Sequence, residues 1–227
     1  MRERTAQPHP LPHRHLGVDI GLSGLIKWIC YPPVNSEAAG LDVVRSCAGQ
    51  FEGRFAVQLL RDCLVLLDAP LSSGEIEALW LAGTFRAFDL ERLGIDGRVW
   101  LRRVAEVCAE RIRRDDPSFT PVAAATAVPG PVREKVLDEI GSAGPALEQA
   151  TAGHAYHPVD GVVPALRRAA EVDADLGFRL LLRALKGYFV PIGEARYERF
   201  LALGDELGLG EDVVDDRDFN VRSDLAD

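Results

Sequence analysis

A chain of 227 residues, 47% hydrophobic and 27% charged, with a formal net charge of −9 at pH 7, has the composition of a folded globular protein rather than a collagen-like or disordered one. A chain of this length buries roughly 70% of its unfolded surface, so its core needs no disulfide staples. No apolar run approaches the roughly 20 residues that a membrane span requires, and the charge balance argues against nucleic acid as a partner.

Residues 1–15, MRERTAQPHPLPHRH, hold three His and three Pro and no apolar period. They read as a mobile arm, and Pro and His interrupt the place where a secretory h-region would lie, so a cytoplasmic location is expected. Over 17–31, two short strands forming a β-hairpin and a buried helix from Leu22 to Cys30 both fit, because periodicity cannot arbitrate so short a run. From Asn35 or Ser36 a capped helix extends to about Gly49. A mostly apolar one follows from Gly53 to Asp68 and should be central. Ser72 and Glu75 supply a capping box for a helix over 74–88. Over 97–114, Trp100, Leu101, Val104, Val107, Cys108 and Ile112 form one apolar stripe, with Arg98, Arg102, Glu106, Glu110 and Arg114 as a solvated ladder opposite.

The Pro/Ala-rich stretch 117–131 reads as a connection between a lobe over 16–116 and a second over 132–208. In the second lobe, Pro131 opens a helix ending at Gly141, with a weak helix over 145–151. GHAYHPVDG reads as a loop. Pro164 starts a helix to Val172, and Asp173 caps the next. Along that next helix Asp175, Arg179, Arg183 and Lys186 line one narrow edge and the remainder is apolar. The turn VPIG leads into a last helix over 193–207, ended by Gly208. The sum is an all-α protein of about eight helices, arranged as an irregular antiparallel bundle or a short α-solenoid.

Charge is uneven. The last 23 residues hold nine acidic and two basic side chains, whereas residues 1–115 balance at fifteen each, so the segment 209–227 is an acidic tail on a near-neutral body. Its Asp216, Asp218, Asn220 and Asp227 loosely mimic a calcium loop, but Val221 stands where the turn needs Gly and the last ligand is Asp rather than Glu. No metal is expected there. A free solvated tail fits, and so does a docking or capping segment, with Phe219 and Leu225 as anchors and the Arg face of 97–114 as an available seat. Cys30, Cys47, Cys63 and Cys108 form no C-x-x-C pair and read as reduced, buried thiols.

The stretch GVDIGLSG, residues 17–24, resembles the first phosphate-binding loop of actin-like sugar kinases, with Asp19, Gly21, Ser23 and Gly24 matching an Asp at a strand end beside a Gly-rich turn. The resemblance spans eight residues and would imply two α/β domains and a second phosphate loop, whereas the remaining sequence reads as helix. No nucleophile elbow, Walker motif or dinucleotide fingerprint occurs.

Two function classes follow. In the first, the protein is an interaction module, of inhibitor, immunity or adaptor type. Asp212, Asp215, Asp216, Asp218 and Phe219 would meet a basic protein partner, with self-association left open. In the second, it is a small all-helical enzyme, without an expected cofactor, whose site lies between the lobes. The residues to inspect there are His154, His157, Asp160, Arg179, Arg183, Tyr188, Glu194 and Tyr197. An apolar pocket with convergent polar groups would favour the second class; an exposed apolar patch rimmed by charge would favour the first.

Overall fold

The computed structural model describes residues 18–30 and 34–225. The expected arm over 1–15, with His9, His13 and His15, lies outside the described residues, as do residue 17, residues 31–33 and Asp227. The fold is all-α with one short strand pair. Eleven helices are found among the described residues: α1 (Leu22–Ile29), α2 (Glu37–Ala48), α3 (Arg54–Asp68), α4 (Ser73–Thr84), α5 (Leu90–Leu93), α6 (Gly97–Asp115), α7 (Gly130–Ala152), α8 (Val162–Val172), α9 (Ala174–Gly187), α10 (Glu194–Leu207) and α11 (Glu211–Val214). Strand β1 (Pro191–Gly193) pairs in parallel with β2 (Asn220–Arg222), Ile192 opposite Val221.

The caps follow local chemistry. Ser36 accepts from the Ala39 amide, Asp96 from Val99 and Asp173 from Leu176, and Ser72 and Glu75 form the expected capping box. The stripe of α6 buries Trp100, Leu101, Val104 and Cys108. Trp100 meets Trp80 and Phe88 in edge-on and tilted ring contacts at centroid separations of 5.3 and 4.8 Å. Arg98 is not part of a solvated ladder. Its guanidinium donates to the carbonyls of Leu71 and Leu67 and so satisfies orphan acceptors at the end of α3 and just beyond.

Of the two readings open for 17–31, residues 22–29 take the helical one, and the strand pair lies elsewhere, at 191–193 and 220–222. The helix expected to stop at Gly141 runs on to Ala152 through Pro145. Pro145 removes one amide donor, but Ile140, Ala143, Gly144 and Leu147 on either side are buried against neighbouring helices, and that packing outweighs the lost bond. The connection 116–129 has no regular structure. It is fastened by Arg61, which donates to the Ala124 carbonyl at 2.6 Å and the Thr126 hydroxyl at 2.5 Å, while Asp173 accepts from the Thr126 amide at 2.6 Å.

Helix α9 is the axis of the molecule. All its residues except Gly187 are buried, and it packs on α1, α4, α7 and α8. A helix apolar on every side is expected at the centre. Here the polar edge is buried as well, which creates the site.

Candidate functional site: a buried ion cluster and the cavity beside it

The polar edge of α9 falls into two parts. At the inner end, Arg179 (side chain 1% exposed) makes a bidentate pair with Asp62 of α3 at 3.0 Å from each nitrogen, and pairs with Asp175 at 3.1 Å. It also donates to the Ser23 hydroxyl at 2.8 Å. Asp62 accepts from the Leu22 amide at 2.9 Å and thereby supplies the cap that α1 lacks in its own sequence. Gly21 adopts φ 86°, and a Cβ there would stand 2.4 Å from the Asp62 carboxylate. The glycine therefore serves both the turn and the close approach. The GVDIGLSG stretch is thus a helix start knotted to α3 and α9, not a strand leading into a phosphate loop.

At the outer end, three cations meet one carboxylate. Asp216, carried by the segment after α11, lies 2.5 Å from Arg183, 2.6 Å from Lys186 and 2.7 Å from Lys27. Lys186 also donates to the Val214 carbonyl at 2.7 Å and stands 4.4 Å above the Phe219 ring. Burial alone would raise the Asp216 carboxyl; Arg183 and then Lys186 overcome it and hold the group well below the usual carboxylate range. Burial pushes Lys186 down to about 8, with Arg183 acting in the same direction and Asp216 opposing. At pH 7 roughly one-tenth of this amine is neutral.

Beside the cluster opens a cavity of about 430 Å³. Its walls come from α1 and the residue after it (Lys27, Cys30), the end of α4 and its turn (Gly83, Thr84, Phe85, Ala87), the end of α9 and just beyond (Arg183, Lys186, Phe189), and Asp218 of the C-terminal segment. Phe85 and Phe189 both take left-handed backbone angles where their helices end, φ 49° at each. Such angles are uncommon for bulky residues. Phe85 packs at the same time on His154, His157 and Tyr188, at centroid distances of 5.0, 4.7 and 5.0 Å. Burial pushes the Cys30 thiol at the cavity wall up to about 11, only partly offset by Arg183, so it is no thiolate at neutral pH.

The residues singled out from the sequence are dispersed around this centre. Arg183 is in the cluster, and Arg179 is in the inner knot. The His154 and His157 rings stack on each other with centroids 5.5 Å apart, and His154 Nδ1 accepts from the His157 amide at 3.1 Å. Asp160 is exposed; no metal-holding group of three such side chains occurs among the described residues. Tyr188 donates to the His157 carbonyl at 2.6 Å, and Tyr197 to Asp215, also at 2.6 Å. Glu194 is exposed at the start of α10. Within the tail, Asp216 and Phe219 fold onto the body at α9 and α10, not on α6; exposed Asp218 lines the cavity 4.0 Å from Lys27, while Asp212 and Leu225 face solvent.

Sequence reasoning missed Lys27, Lys186, Asp62 and Phe85. The usable signal was α9 itself: four charged groups on an otherwise apolar helix must go inside with it, and buried charges need partners. No protein-family model matches the chain, and neither a curated protein nor a solved structure matches it.

Proposed function

We propose that this protein binds a small organic carboxylate with an apolar body in the cavity between α1 and the ends of α4 and α9. One observation carries the reading: Lys27, Arg183 and Lys186 converge on a carboxylate at the cavity edge, and the chain's own Asp216 stands in for the ligand's headgroup there. Phe85 and Phe189 offer the apolar body its contacts. A mostly apolar cavity with a few convergent charges is the usual form of a small-molecule site. Segments from both halves of the chain build it, as the enzyme class requires, and Lys186 has the displaced pKa that such sites often hold. The interaction-module reading has less support, because Asp215, Asp216 and Phe219 are already engaged inside the chain.

Calorimetric titration with hexanoate and phenylacetate tests the proposal, with hexanol and acetate as controls for body and charge alone. Binding of the two carboxylates is expected at least ~10-fold tighter than either control, with a comparable loss on Lys27→Gln or Arg183→Gln. Equal responses to hexanol and hexanoate would overturn it.

A further inference from the structure

We infer that the incoming carboxylate and the Asp216 carboxylate exchange at the same three cations, so that ligand entry releases residues 215–222 from the body. The inference rests on the carboxylate reading above. Arg183 and Lys186 are buried, so they need an anion beside them, and Asp216 is the carboxylate on which all three cations converge, Asp19 standing farther off at 4.0 Å from Arg183. A ligand headgroup arriving from the cavity competes for the Asp216 position.

The remaining hold on the segment is slight. Its other fastenings include the Tyr197–Asp215 hydrogen bond, an exposed Lys27–Asp218 ion pair at 4.0 Å, one bond from the Asn220 side-chain nitrogen to the Phe189 carbonyl at 2.9 Å, a three-residue strand pairing and the half-buried Phe219 ring under Lys186. Residues 221–225 are exposed. Phe189 belongs both to the cavity wall and to the seat of the segment, so filling the cavity disturbs the seat directly.

Limited trypsin digestion followed by mass spectrometry reads the release, because Arg217 and Arg222 are exposed cleavage points within the segment. Hexanoate, but not hexanol, should speed cleavage after Arg217 several-fold. Asp216→Asn removes the competitor and should bind hexanoate ~10-fold tighter, since apparent affinity rises with the fraction of open sites. Gly204→Ala gives the same result by another route. Its Cβ would stand 2.4 Å from the Val214 side chain and lift the segment, while all charges stay and α10 gains a better helix former. Equal affinity in the three chains with unchanged cleavage would overturn the exchange and leave the binding site standing. Absence of binding in all three would overturn the carboxylate reading itself.

Discussion

Arg179 shows how one side chain fixes three helices. It neutralises Asp62 and Asp175 and reaches the Ser23 hydroxyl, and through Asp62 it orients the start of α1. Replacing it by Leu leaves two buried carboxylates without their cation. Breaking a buried pair from one side lowers stability by about 3–5 kcal/mol, and urea unfolding of Arg179→Leu should show a loss of that size. A loss below about 1 kcal/mol would mean that the carboxylates find water or protons instead. Arg179 was named from the sequence, but as a catalytic candidate. Its structural role depends on Asp62, far away in the chain, and no local pattern links the two.

At the scale of elements, the longer helices from α2 onward were legible, because apolar spacing and caps are local properties that survive packing, whereas the four-residue α5 and α11 are too short to show a period. Two other elements were not settled. For residues 22–29 helix and hairpin both fitted, and the cap that favours the helix comes from distant Asp62; the parallel pair β1–β2 joins three-residue strands separated by two helices, too short to register as alternation. Helix α7 carries the opposite lesson: a reliable breaker, Pro145, is overridden by burial on both sides of it. Pro145 is itself exposed. Pro145→Ala should therefore stabilise the protein, the restored backbone bond and helix propensity exceeding the added freedom of the unfolded chain by about 1–2 kcal/mol. A rise in the urea midpoint with an unchanged slope would be the sign; a fall would show that α7 needs its proline.

For the whole molecule, buried thiols set the alkaline limit. Burial raises Cys47 to about 12 and lifts Cys63 and Cys108 further above their ordinary value. Unfolded thiols lose their protons near pH 8.5. Above that pH the native state holds protons that the unfolded chain has released, so stability falls as pH rises. Lys186 works the other way between about 8 and 10.5, because there the unfolded chain binds the extra proton. Cys30 adds to these, and four thiols against one amine leave a net slope of about −4 kcal/mol per pH unit between about pH 9 and 10.5. Chemical denaturation at pH 7 and 9.5 should show it; equal stability at the two would refute the thiols' burial. One further consequence follows from the order of the chain. All the cavity's lining residues but Asp218 precede residue 190, whereas Asp218 and Asp216 are supplied by a stretch synthesised afterwards. The three cations of the recess are thus synthesised before the carboxylate that neutralises them.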